Sequence, residues 1–151
     1  MTNEANPATG VAARDSAGSQ ADPASRTLPT RIHADRGAGT LELEWADGHV
    51  TTYIAHDLRW LCPCAFCRGE AGLPGWLDTS PTLTSEQTRL VDVHLVGSYA
   101  LAPTWADGHQ TGYYPFVLLR DRCSCTECAS RRAAAPSSPL HPEGQQRGVR
   151  P

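Results

Sequence analysis

Between residues 41 and 45 apolar and acidic side chains alternate, Leu41, Leu43 and Trp45 against Glu42 and Glu44, the period-two pattern of a strand with one buried face. Asp47-Gly48 then supplies the positive φ of a two-residue turn. Residues 50–54, rich in β-branched and aromatic side chains, suit a return strand. A hairpin is predicted, and a short helical turn over 56–61 carries it into Cys62-Pro63-Cys64-Ala65-Phe66-Cys67. The same order returns downstream. Strands over 91–96 and 99–105, with Pro103 marking an edge or a bulge, lead to a second turn at Asp107-Gly108. Pro115 then opens a helix through Phe116, Leu118 and Leu119, since its missing N–H is not needed in a first turn.

These two passages are copies of one unit. Trp45-Ala46-Asp47-Gly48-His49 reappears as Trp105-Ala106-Asp107-Gly108-His109, and Thr51 and Tyr53 reappear as Thr111 and Tyr113. Leu58-Arg59 is answered by Leu119-Arg120, and Cys62-x-Cys64-x-x-Cys67 by Cys123-x-Cys125-x-x-Cys128 with one residue of slippage. Such self-similarity means one supersecondary unit used twice. The predicted class is α+β: a small pseudo-symmetric domain of two strand–turn–strand–short helix–Cys loop units, packed around Trp45, Tyr53, Trp60, Tyr99, Trp105 and Phe116.

Composition sets the limits of that domain. Residues 1–27 and 131–151 are mostly small, polar or Pro and Arg positions, too poor in apolar side chains to offset the entropy of ordering, so disordered arms are expected around a core of 28–130. The 151 residues carry a formal charge of -3, and all 13 basic residues are scattered arginines. No basic stripe suited to nucleic acid results. The absence of lysine excludes a Walker-type phosphate loop and a Schiff-base enzyme. No apolar run reaches the roughly 18 residues of a membrane span, and the N-terminus has no secretory pattern, so a cytoplasmic protein without a membrane partner is expected.

The six cysteines would need an oxidising compartment to form three disulfides. The C-x-C-x-x-C spacing instead crowds three sulfurs onto one turn, which suits a single ion at about 2.3 Å from each. A fourth ligand is then required, and His49 and His109 both stand in the repeated Asp-Gly-His turns. A redox dithiol at Cys64/Cys67 or Cys125/Cys128 leaves the extra cysteine of each cluster unexplained. His33-Ala34-Asp35 spells a His-x-Asp iron motif, but beside Gly37 and Gly39 an Asp ordinarily makes a turn. His56 and His94 are read as surface residues and His141 as a solvated tail residue.

Three stretches carry a family resemblance: residues 43–49, Leu58-Arg59-Trp60-Leu61-Cys62-Pro63-Cys64-Ala65-Phe66-Cys67, and the second Trp-Ala-Asp-Gly-His. Residues 28–128 resemble the small N-terminal domain of γ-butyrobetaine hydroxylase and trimethyllysine hydroxylase, which also occurs as free-standing bacterial proteins. The resemblance implies a zinc ion on Cys62, Cys64, Cys67 and His109. Pseudo-symmetry extends this to a second ion on Cys123, Cys125, Cys128 and His49, a triple that family members often lack. The chemistry of those hydroxylases resides in a separate, larger 2-oxoglutarate domain, so the expectation here is a non-catalytic zinc module serving an unknown protein partner as an interaction or accessory domain. An iron or iron–sulfur carrier or assembly factor is the rival reading, because a similar domain is appended to some P-loop ATPases that carry iron–sulfur clusters. An accessory to a 2-oxoglutarate-dependent oxygenase is the third. Trp60 and Phe66 are read as core covering the metal, and Trp76 and Leu77 as cover or docking surface. The hydroxylases use this domain in dimers, which leaves a homodimer open.

Structural zinc contributes about 10–16 kcal/mol in zinc-finger peptides, against typical domain stabilities of about 5–15 kcal/mol. A strong chelator, or Cys64→Ser, is therefore expected to unfold the core. Unchanged circular dichroism and melting in the metal-free protein would contradict this.

Overall fold

Two three-stranded antiparallel meanders, one from each copy of the repeat, frame the structure, a computed structural model that describes residues 22–135. The first comprises β1 (Pro29–Asp35), β2 (Thr40–Trp45) and β3 (Val50–Ile54); the second comprises β4 (Leu90–Val96), β5 (Ala100–Trp105) and β6 (Tyr114–Pro115). Each is followed by two helices, α1 (Ala55–Trp60) and α2 (Ala65–Arg68) in the first copy, α3 (Phe116–Asp121) and α4 (Thr126–Ala134) in the second. The α+β class and the repeated plan are those read from the sequence, but the unit has three strands rather than two. The extra strand at the start, β1, is weakly patterned: only Pro29, Ile32 and Ala34 are half-buried among exposed neighbours. Among the described residues no helix is long and apolar enough to cross a membrane.

The alternation in β2 sends Leu41, Leu43 and Trp45 into the core, with Leu41 opposite Tyr53 and Leu43 opposite Thr51 on β3. The two turns match closely. Trp45 N–H donates to His49 C=O and Trp105 N–H to His109 C=O, each at 2.9 Å, while Gly48 and Gly108 take φ of 83° and 86°, which glycine adopts without steric cost. Pro103 faces Val93 on β4. On its other side β6 pairs only with Ala100 and Leu101, so β5 is an edge where Pro103 stands.

The one-residue slippage falls before Tyr114, not at the cysteines. Tyr53 Oη donates to Leu119 C=O at 2.6 Å and Tyr114 Oη donates to Leu58 C=O at 3.0 Å, so the counterpart of Tyr53 is Tyr114. Tyr113, the partner expected from identity alone, is 53% exposed, because a shift of one residue along a strand moves its side chain to the other face. Trp45, Tyr53, Trp105 and Phe116 are buried as expected, and Trp45 meets Phe116 edge-on at 6.4 Å. Tyr99 is not core. It stands in the tight turn after Gly97 and is exposed, while Trp60 is half-buried against the core.

The described structure runs a few residues past the core bounds read from composition. Ser25–Thr27 forms a 3₁₀ turn, with Leu28 C=O accepting from Ala46 N–H at 2.8 Å. At the other end α4 continues to Ala134, supported by an i,i+4 Arg131–Glu127 pair at 2.9 Å and by Arg132 Nη1 donating to Cys123 C=O at 2.8 Å. The remainder of both expected arms, with His141, lies outside the described residues.

Tyr53→Phe leaves the Leu119 carbonyl without its donor and is expected to cost about 1–3 kcal/mol, measured by chemical denaturation. Tyr114→Phe is expected to cost less, about 0.5–1.5 kcal/mol, because Leu58 C=O also accepts from Leu61 N–H. Tyr113→Phe is expected to stay within about 0.5 kcal/mol of the parent.

Candidate metal centres

Each Cys triple is shaped by the first turn of a helix. Cys64, extended at φ -68° and ψ 157°, caps α2, and its C=O accepts from Cys67 N–H and Arg68 N–H at 3.1 and 2.9 Å. That turn brings Cys67 back beside Cys64. Cys125 caps α4 with nearly the same backbone angles, and its Sγ accepts from Cys128 N–H at 3.4 Å. The histidines are aimed by the turns that carry them. Asp47 Oδ1 accepts from His49 N–H at 3.1 Å, and Asp107 Oδ1 accepts from His109 N–H at 3.0 Å, an Asx-type lock on the backbone.

Each histidine meets the sulfurs of the other copy. His109 Nε2 lies 3.3, 3.6 and 3.8 Å from the Sγ atoms of Cys62, Cys64 and Cys67. His49 Nε2 lies 3.3, 3.6 and 3.7 Å from those of Cys123, Cys125 and Cys128. Within each group all four ligand atoms fall within 4.8 Å of one another, and all six cysteines are free thiols. A tetrahedral ion with bonds of about 2.0–2.3 Å sets its ligand atoms roughly 3.5–3.8 Å apart. Both groups can therefore hold one metal ion.

The donor chemistry agrees with the spacing. Burial, and then the charge of Arg120 or Arg59, lowers the pKa of His49 and of His109, which keeps each imidazole neutral as a metal ligand must be. Burial pushes the Cys62 and Cys67 thiols up. Cys64 goes down, the raising effect of burial being outweighed by the Cys67 N–H and the Thr111 hydroxyl. In the second group the Cys128 N–H lowers Cys125, while burial raises Cys128. Three thiolates this close repel one another, and a cation among them removes the penalty.

Around the ligands a second set of ties crosses between the copies. Arg120 Nη2 pairs with Asp47 Oδ2 at 2.9 Å and Arg59 Nη2 with Asp107 Oδ2 at 3.2 Å, with the arginine side chains only 2% and 1% exposed. Each arginine thus holds the turn whose histidine faces the cysteines following that arginine. Arg120 Nη1 also donates to Cys128 Sγ at 3.1 Å. Arg59 instead lies over the Trp105 and Trp76 rings at 5.5 and 5.7 Å. These positioning residues were passed over in the sequence, although Asp in the repeated turn and Arg in the repeated Leu-Arg pair were their signal.

Other sequence candidates resolve differently. Phe66 is not core: it is 63% exposed, stacking on Trp76 at 5.9 Å and standing 6.2 Å from the His109 ring. Its outer face meets solvent because α2 ends within a turn. Leu77 is buried, while Trp76 is half-buried. His33 sits on β1 opposite Glu42, and Asp35 Oδ1 accepts from Gly37 and Ala38 N–H at 2.9 Å, the turn role rather than an iron site. His56 contacts Asp57 at 3.1 Å on the surface, and His94 is exposed on β4.

A duplicated α+β domain with two interlocked Cys₃His groups is thus the class that fold and site define. The chain belongs to the family described as Gamma-butyrobetaine hydroxylase-like, N-terminal, whose model matches residues 32–119, more than half of its length. The second Cys triple lies beyond that match. Among similar solved structures is the crystal structure, at 1.93 Å, of a protein with unknown function of the DUF971 family from Acidithiobacillus ferrooxidans ATCC 23270. It is 30% identical, with a TM-score of 0.48, over 64% of this chain and 92% of that one. Two NMR solution structures are 26% and 25% identical, with TM-scores of 0.49 and 0.47, over 70% of this chain and 80% and 78% of theirs. No curated protein matches the chain.

Gly112 leaves room for the first centre, since a Cβ there would stand 2.7 Å from Cys62 Sγ and 3.0 Å from the Tyr114 ring. Gly112→Ala is expected to displace that sulfur and lower the metal content of the first centre while the second keeps its own, read as the metal-to-protein ratio.

Proposed function

We propose that this protein is a non-catalytic module organised by two structural zinc ions, one in each Cys₃His group, and that it works in the cytoplasm as an accessory or interaction domain for a protein partner. The ligand spacing carries the reading. Three sulfurs and one imidazole at single-ion distances fill a tetrahedral zinc shell, and four protein ligands leave no position for substrate or activated water. A cluster distributes its ligands over two or more irons and needs a wider cage than groups whose atoms all lie within 4.8 Å. The partner side of the reading is supported by Phe66, 63% exposed, and Leu73, 73% exposed, near the half-buried Trp76, since aromatic residues are enriched where proteins dock. Free thiols throughout suit a reducing compartment.

The test is elemental analysis by plasma mass spectrometry, with a visible absorption spectrum, on protein purified in air and under anaerobic conditions. Two zinc atoms per chain and no visible band are expected. Iron with visible absorption overturns the zinc assignment in favour of an iron or iron–sulfur carrier, and a single zinc per chain removes the second centre.

A further inference from the structure

The two centres share one plan but are not walled alike. In the first, Phe66 lies between Cys64 and Cys67 and stacks on Trp76 with 22° between the ring planes. Trp76 begins the 3₁₀ turn Trp76–Thr79, which the chain reaches by folding back after α2. In the second, the position of Phe66 within Cys-x-x-Cys is held by Glu127, which is 66% exposed and turned toward Arg131. After Cys128 the chain continues as α4 instead of folding back, so among the described residues no aromatic pair stands over His49.

The clefts beside the two histidines differ accordingly. That at His109, about 370 Å³, has Phe66 and Trp76 in its walls and one arginine, Arg59, already paired with Asp107. That at His49, about 420 Å³, is lined by Arg26, Asp47, Arg120, Glu127 and Arg131. Arg120 and Arg131 are engaged by Asp47 and Glu127. Arg26 has no carboxylate partner among the described residues, and its Nε is buried without an acceptor. An anion passing two aromatic rings loses hydration without replacement, whereas one passing Arg26 exchanges water for a charge-assisted hydrogen bond.

Resting on the two-ion reading above, we propose that the second centre is an exchange centre, whose ion is taken by an anionic, carboxylate-bearing chelating ligand that enters over Arg26. The first centre holds its ion in place. His49, the group of the four that lines this cleft, would be the first to give up its place to the incoming carboxylate, and Cys123, Cys125 and Cys128 would follow, each sulfur taking up a proton from water.

Protein shown by elemental analysis to carry two zinc ions is mixed with excess EDTA, or with uncharged 1,10-phenanthroline, and the ions remaining are counted by native mass spectrometry over time. One ion is expected to leave to EDTA at least about tenfold faster than the other, because the wall around a metal controls access to it. Glu127→Phe, which keeps every ligand, slows that loss; Cys125→Ser removes the fast ion and spares the slow one; Phe66→Glu speeds the slow one. Arg26→Gln slows the fast loss to EDTA but not to phenanthroline. Two ions leaving at one rate, a fast loss that survives in Cys125→Ser, or an Arg26→Gln rate unchanged with EDTA overturns the proposal. A single ion at the outset overturns the two-ion reading as well, so the two failures are distinguishable.

Discussion

Neither half of this chain can satisfy its own polar groups. The arginine after each hairpin is buried and finds its carboxylate in the turn of the other copy, Arg59 on Asp107 and Arg120 on Asp47. A buried guanidinium without that carboxylate is strongly destabilising, so one copy folded alone faces a penalty that only the other removes. The tyrosines repeat the exchange, each bonding a carbonyl on the far helix, and the histidines repeat it again at the sulfurs. The arginine and histidine ties share a geometry because both depend on the same turn. Asp47 and Asp107 use one carboxylate oxygen to hold the histidine backbone and the other to meet the arginine.

This mutual dependence explains how a small core supports the fold. Leu41, Leu43, Trp45, Leu58, Leu101, Trp105 and Leu119 are buried in one cluster, but the sheets have only three strands each and helices α1 to α3 are six residues or fewer. Helices that short are not stable by their own hydrogen bonds. Cross-copy bonds at the carbonyls of α1 and α3 fix these helices in place, and an ion held in either group would tie the C-terminal end of one unit to the turn of the other.

The copies have also drifted, and the drift is concentrated near the ligands. Trp45 Nε1 donates to Thr51 at 2.9 Å, but Trp105 Nε1 is buried without a partner, because the inserted residue moves Gly112 to the structural position of Thr51. The same glycine makes space for Cys62. Arg59 lies over two tryptophans where Arg120 bonds a sulfur, and Phe66 is answered by Glu127. One plan thus yields an aromatic-walled centre and a charged-walled one.

The sequence by itself determined the central hairpin and short helix of each unit, the duplication, and the residues able to act as ligands, since each rests on short-range information: alternation in β2, positive φ at Asp-Gly, three cysteines on one turn, a five-residue identity repeated sixty positions later. It did not determine β1 or the length of α4. Tertiary structure alone decided what those residues meet. The sulfur-to-histidine contacts span 42 to 79 positions, and local periodicity carries no record of such distances. The family resemblance and the symmetry named the histidines, but they were silent on the arginine–aspartate and tyrosine–carbonyl ties. Identity alone chose Tyr113 over Tyr114, because one inserted residue reverses which side chain of a strand faces inward, and only packing shows where the insertion falls. Phe66 looked like core by its chemistry. Its exposure follows from where α2 ends and Trp76 returns, a matter of the path of the chain rather than of its composition.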